Sequence, residues 1–344
     1  MDIISQFLES HVTMDNPEED IFIEDNKIKE DRRLYGYIQR RLKKVLERGK
    51  LPRFDLGKFT IEKQIGDGSY GIIFSVFNNK TKKKYAMKKL IANNFNTLET
   101  FQREFEIAHH NKHTLILDIK GIYLKCFDQT TYVLYVLMDL AEKDWEMEIS
   151  NRQITKNYYK EKELVLILKQ LSNVLYFLQK ERNIAHRDIK LENILIFKSK
   201  YEYINKYGKY LYKLCDFGEI RILKRDGLIV QRVRGSELYM SPILFNGLHL
   251  NFIQVKHNTY KSDVFSLGMC FFYACCLNYS GVDSIRELTN MQKIKEILFS
   301  HLSKRYSFKF LIFILQMLEV NEDKRPDFIQ LETKFKKLFH NIYF

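Results

Sequence analysis

The feature that most restricts how this chain folds is a change of hydrophobic rhythm near residue 144. Phe59–Ile65, Ile72–Asn78 and Lys84–Leu90 read as strands, Thr97–His110 as a helix and Tyr132–Met138 as a buried strand. After Asp144 the pattern is mostly helical, and Glu161–Glu181 is the longest periodic stretch. Strands followed by helices imply two units of different class, α+β in sum. A chain of 344 residues is long enough to bury one large core or two smaller ones.

Hydrophobic residues at 45% and charged residues at 29% exclude wholesale disorder. The formal charge of +13 asks for an anionic partner, but the lysines are scattered, so nucleic acid is not expected as the main one. Five cysteines without paired metal spacing suit reduced thiols in the cytosol or nucleus. The N-terminus has neither a signal-peptide pattern nor the glycine that myristoylation needs. The apolar run Val264–Leu277, headed by Asp263, is too short to span a bilayer. The expected setting is intracellular and cytoplasmic by default, with the nucleus left open.

Residues 1–58 read as an N-terminal extension divided by charge. Acidic residues from Asp15 to Asp25 crowd its first half, and basic residues from Arg32 to Arg48 its second. Leu34, Ile38, Leu42, Val45 and Leu46 recur at helical spacing and predict a basic amphipathic helix, ended by Gly49 and Pro52. Such a helix suits a regulatory partner or a membrane surface. The lack of aromatic anchors favours packing against its own domain.

Glycines at 66, 68 and 71 allow backbone N–H groups to approach phosphate oxygens. A dinucleotide fold would place a helix after the third glycine, whereas Gly71 is followed by strand-like Ile-Ile-Phe-Ser-Val-Phe. A hairpin covering a phosphate-bearing ligand fits better. Lys88 ends an apolar strand, where a bare ammonium is costly, so it needs anionic partners. Downstream stand His186-Arg187-Asp188-Ile189-Lys190-Leu191-Glu192-Asn193 and Asp216-Phe217-Gly218.

These four motifs, in this order, resemble the eukaryotic protein kinase family, serine/threonine type, over roughly residues 59–340. The resemblance implies a bilobal α+β fold, with an antiparallel sheet and one helix in an N-lobe (59–141) and a larger helical C-lobe (142–340). It implies ATP and Mg2+ as cofactors and proteins as substrates. Asp188 would orient the substrate hydroxyl and accept its proton, Lys190 would lie against the transferring phosphoryl, and Asn193 and Asp216 would hold magnesium. Lys88 would meet ATP phosphates and a helix carboxylate, with Glu104 favoured over Glu106, which a shift of two residues turns away. Gly66, Gly68 and Gly71 would cover the phosphates, and Ile65, Ile73, Ala86 and Leu195 would enclose adenine. Met138 would be the gatekeeper, Asp139 and Ala141 the hinge, and Asp144 would lie near the ribose. Lys190, with Ser236 as the hydroxyl bridging it to Asp188, implies serine/threonine specificity. Glu192 and Asp144 hint at basic residues before the target site. A pseudokinase scaffold that binds nucleotide without efficient turnover stays open as the second reading, and a nucleic-acid-binding module as the third.

Several positions depart from the family. Between Gly218 and Gly235 there is no serine, threonine or tyrosine, so Arg187 has no phosphate to receive, and Glu219 or Asp226 is expected to supply negative charge. Ile243 replaces the glutamate that normally pairs with Arg325, which should then find another carboxylate or partial exposure. The stretch between Asn193 and Asp216, about ten residues longer than usual, predicts a lengthened hairpin, and residues 246–260 read as loop growth. His109 and His113 have the spacing of one helix face, with a structural role expected.

Overall fold

The computed structural model describes residues 51–68, 71–126, 131–200, 207–224, 226–277 and 290–340. The acidic segment and basic helix expected within residues 1–50 lie outside them. The described residues form two compact units: one runs to His109 and adds Asp118–Leu140, and the other joins His110–Leu117 to everything from Ala141 onward.

The first unit is a five-stranded antiparallel sheet with one helix. Its strands are β1 (Phe59–Gly68), β2 (Gly71–Asn78), β3 (Lys84–Ala92), β4 (Ile119–Cys126) and β5 (Tyr132–Asp139), in the order β1-β2-β3-β5-β4. Helix α1 (Phe95–His110) follows β3, and the Asn94 side chain accepts from Thr97 N at 2.8 Å at its start. One sheet face is packed through Val76, Met87 and Leu137 under Phe54, Phe59 and Tyr85.

Residues just before the expected boundary at 59 also pack on this unit. Leu51 is buried, Ile122 N donates to Pro52 O at 2.8 Å, and Phe54 packs edge-on against Phe59 at 5.4 Å. Residues 51–55 therefore run beside β4, and Leu56–Lys58 form a short 3-10 turn entering β1.

The second unit contains, in chain order, β6 (Lys143–Asp144), α2 (Trp145–Ile154), α3 (Glu161–Arg182), β7 (Ile184–Ala185), β8 (Ile194–Lys198), β9 (Tyr210–Leu214), β10 (Arg221–Ile222), β11 (Leu228–Arg232), α4 (Pro242–His249), β12 (Gln254–Asn258), α5 (Thr259–Cys276), α6 (Met291–Leu302), α7 (Phe308–Met317) and α8 (Phe328–Leu338). Helix α5 is buried nearly all round and packs against α6, α7 and α8. That explains why its sequence lacks an amphipathic stripe. His110–Leu117 belongs here rather than to the sheet unit, because Leu117 N donates to Leu214 O and Leu214 N to Leu115 O, each at 2.9 Å. Since α1 ends at His110, His113 is not on a helix face with His109. Its ring stacks on Phe177 at 4.9 Å and its Nδ1 accepts from Leu115 N.

The long stretch after Asn193 is a hairpin, with β8 and β9 paired from Ile194↔Leu214 to Lys198↔Tyr210. Buried Gln170 of α3 donates to the carbonyls of Tyr207 and Tyr210 and accepts from Tyr212 N. Residues 246–260 are not simple loop growth, because β12 pairs antiparallel with β11 over five residue pairs. Beneath this ribbon lies a buried polar chain. Gln231 meets His257 Nε2 at 2.6 Å and Thr259 Oγ1 at 3.2 Å, and His257 Nδ1 meets Ser262 Oγ at 2.8 Å. Burial, with Arg187 and Arg325 nearby, pushes His257 down to about 4, so its ring is neutral at ordinary pH. No described helix is long and apolar enough to cross a membrane.

Candidate active site

In the first unit the glycines occupy the β1–β2 hairpin. Gly66 pairs with Ile73 and Gly68 with Gly71, while residues 69 and 70 lie outside the described set. Gly71 has a packing reason to be glycine, since a Cβ there would collide with the Lys89 carbonyl of β3. Ile65 sits at a register shift in β1 and is exposed. Ala86 and Met138 are buried cross-strand partners, so they form one apolar wall. Asp139 is held by Lys120, whose Nζ lies 3.2 Å from Asp139 Oδ1 and 2.8 Å from Asp118 Oδ2.

Lys88 is carried by the centre of β3, opposite Ile73 on β2 and Val136 on β5. Its side chain is only 12% exposed, and Glu104 Oε1 of α1 stands 3.9 Å from its Nζ. Glu106 accepts from Gln102 Nε2 at 2.7 Å, one turn back on its own helix.

In the second unit residues 186–193 follow β7. Asp188 gathers donors on both carboxylate oxygens. Ser236 donates to Oδ1 through its backbone N at 3.1 Å and its Oγ at 2.8 Å. Asn193 Nδ2 donates to Oδ2 at 3.0 Å, and Lys190 Nζ stands 3.2 Å from the same oxygen. Ser236 and Lys190 thus meet through the carboxylate, with no direct bond between them among the described residues. Burial alone would depress Lys190, but Asp188, with Glu192 and Asp216, outweighs it and raises the ammonium pKa.

Asp216 adopts φ +60°, and its Oδ1 accepts from Gly218 N at 3.3 Å. Asn193 Nδ2 also donates to Asp188 O, which leaves Asn193 Oδ1 without a donor among the described residues. An amide oxygen and a lightly bonded carboxylate form a hard-oxygen donor set, the chemistry that magnesium requires. Asp144 and Leu195 are cross-strand partners in β6 and β8, while Ala141 precedes them, half-buried. The Asp144 carboxylate caps α2, accepting from Met147 N at 2.7 Å, and burial raises its pKa.

Sequence reasoning passed over Asp263, noting only that it heads an apolar helix. It is buried and accepts from His186 N at 2.7 Å and Arg187 N at 2.9 Å, which fixes the backbone leading into Asp188. A carboxylate heading a fully buried run must have donors, and that was the available signal. His186 is also buried; its Nε2 meets Cys215 O at 3.1 Å and its ring lies 5.3 Å from Phe217, tying this loop to the Asp216 segment. Burial lowers its pKa and keeps it neutral.

Arg325 is the one expectation only half met. It is 1% exposed, so partial exposure is excluded. Its guanidinium donates to the carbonyls of Glu319 at 2.6 Å, Lys261 at 3.1 Å and Val320 at 3.1 Å, and stands 5.0 Å over the Phe265 ring. Burial pushes it down to about 10 against the opposing pull of Glu322 and Glu319, which act through space rather than by contact. Ile243, where the family has glutamate, packs instead on the Met240, Leu244, Phe245 and Val255 cluster.

The sheet unit thus bears a buried lysine–glutamate pair, and the helical unit an aspartate ringed by serine, asparagine and lysine. The protein kinase domain model matches residues 59–339, and the chain belongs to that family. Among curated proteins it is 26% identical over 238 residues to serine/threonine-protein kinase 33 of Bos taurus, covering 66% of this chain and 45% of that protein. It is 28% identical over 286 residues to serine/threonine-protein kinase ATG1 of Candida glabrata, covering 72% and 28%. With serine/threonine-protein kinase Nek4 of Mus musculus it shares 25% identity over 265 residues, covering 76% and 30%. The chain thus spans less than half the length of these relatives.

Proposed function

We propose that this chain is an active serine/threonine kinase that transfers the γ-phosphoryl of ATP to hydroxyls of protein substrates. The observation that carries the reading is the Asp188 carboxylate, held at both oxygens by Ser236, Asn193 and Lys190. Asp188 orients the substrate hydroxyl and takes its proton as the new O–P bond forms and ADP departs. Lys190 compensates charge on the transferring group, and Lys88, paired with Glu104, holds the remaining phosphates. Magnesium, held by Asn193 and Asp216, would neutralise the phosphate oxygens. Ala86, Met138, Ile73 and Leu195 supply apolar surface for adenine, and Asp139 and Ala141 lie on the segment whose backbone would bind its edge. Burial, with Glu146 and Asp188 nearby, raises the Glu192 pKa, and this strain would be relieved by a basic residue on the substrate. A scaffold without turnover would be expected to have lost Lys88, Asp188 or Asp216, and none is missing.

Activity is expected without phosphorylation of the segment between Gly218 and Gly235. Glu219 takes the place of a phosphate there: its carbonyl accepts from Arg187 NH1 at 2.9 Å, and its carboxylate meets Arg234 NH1 at 2.9 and 3.2 Å. Asp226 does not reach the arginines; its carboxylate accepts from Leu228 N. Phosphatase-treated protein should phosphorylate a generic serine peptide with Mg-ATP at about 1–100 per second on a good sequence. Loss of activity on that treatment, with a modified residue mapped to 219–235, would overturn this.

A further inference from the structure

Asp188 receives two of its hydrogen bonds from Ser236, so whatever fixes Ser236 helps to fix the carboxylate. Ser236 lies in the stretch between β11, which ends at Arg232, and α4, which starts at Pro242. Both flanks of that stretch are tied to one imidazole. On the β11 side Gln231 meets His257 Nε2 at 2.6 Å. On the α4 side His257 Nδ1 meets Ser262 Oγ at 2.8 Å, and Ser262 Oγ meets Ser241 Oγ at 3.0 Å. Gln231, Ser241, His257 and Ser262 are all buried. Ser262 is followed by Asp263, whose carboxylate holds the backbone N–H groups of His186 and Arg187. A small cavity is lined by Gln231, His257 and Ser262 and also by Asp188 and Ser236, so the polar chain and the carboxylate border the same space. A neutral imidazole offers one donor and one acceptor, enough for one partner on each side.

We propose that His257 is a positioning residue for phosphoryl transfer. Bonded through one nitrogen to Gln231 and through the other to the Ser262–Ser241 pair, it clamps both ends of residues 231–241 and so holds Ser236 against Asp188. Both ring nitrogens are spent on these contacts, which leaves neither for a reacting group. An apolar side chain of similar size would fill the site but strand buried Gln231 and Ser262. Ser236 would then be free to shift, and a displacement of about 1 Å is enough to cost up to about a hundredfold in rate. The inference rests on the kinase reading.

The test is a double-mutant cycle on peptide phosphorylation with His257→Leu, Ser236→Ala and the two combined. At a temperature where calorimetry shows the variant folded, His257→Leu should lower kcat by about tenfold or more and leave the KM for ATP within about threefold. The double variant should be no slower than the more impaired single one, because both changes release the same hydroxyl. His257→Asn and His257→Gln, whose amides replace one ring nitrogen each, should recover part of the loss. Should His257→Leu fail to fold, Gln231→Leu, which cuts the chain on the β11 side, carries the same expectation. Unchanged kcat in the folded variant, or single losses that multiply in the double, would overturn the proposal and leave His257 a stabilising residue only. Failure of the kinase reading has a different signature: wild type itself turns over no peptide, and the inference falls with it.

Discussion

Asp188→Asn is expected to lower kcat by about a thousandfold while leaving the KM for ATP within about threefold of wild type. The native carboxylate accepts at Oδ1 from Ser236 N and Oγ, and at Oδ2 from Asn193 Nδ2 with Lys190 alongside. An asparagine fills the same volume but turns one of those acceptors into a donor. Its NH2 must point either at the Ser236 N–H or at the Asn193 amide and the Lys190 ammonium. Proton acceptance is lost in either orientation, and the geometry that aligns the hydroxyl is disturbed. Nucleotide contacts attributed to Lys88 and Glu104 are untouched by the change. Single-turnover kinetics would separate the two effects. A variant that retained more than a tenth of wild-type kcat would remove Asp188 from the role of base.

Arg325→Met should produce the largest loss of stability, about 3–5 kcal/mol. The side chain is buried, and its removal strands three carbonyls, those of Glu319, Val320 and Lys261, at roughly 1–3 kcal/mol each before relaxation. Methionine recovers some packing against Phe265 but no hydrogen bond. The melting temperature should fall by roughly 10 °C, given about 2–4 °C per kcal/mol for a unit of this size. A drop of under 2 °C in calorimetry would mean that these carbonyls are not dependent on the guanidinium. Ile243→Glu is not expected to add stability, because Ile243 is packed with Met240, Leu244 and Val255 and a carboxylate there would be desolvated.

Four strands of the sheet unit and α3 are legible because their patterns are local, whereas β4 is not among the strands expected from the sequence. β1, β2 and β3 follow short apolar runs, and α3 follows a strong 3.6-residue period. Lys88 stood out because an ammonium on an apolar strand demands a partner, whereas Asp188, Asn193 and Asp216 stood out through their resemblance to the kinase motifs. The β11–β12 ribbon did not stand out. Gln254-Val-Lys-His-Asn258 is polar, its partner strand begins 26 positions earlier, and although burial alternates along it, one of the two inward residues is the polar His257, which meets buried Gln231. The docking of Leu51–Lys58 on the first unit is not legible for a similar reason, since it rests on backbone bonds to Ile122 that carry no sequence signature. The fate of Arg325 was hidden because a missing carboxylate says nothing about which carbonyls turn inward to replace it.

The whole reading depends on one event, the passage of a phosphoryl group from nucleotide to a hydroxyl held against Asp188. Incubating the purified chain with γ-labelled ATP, magnesium and a mixed serine, threonine and tyrosine peptide pool, then hydrolysing the product and separating the phosphoamino acids, observes that event. Label on phosphoserine and phosphothreonine, absent when Asp188→Asn replaces wild type, is the expected result. Label confined to phosphotyrosine, or none on any residue while ATP remains intact, would contradict it.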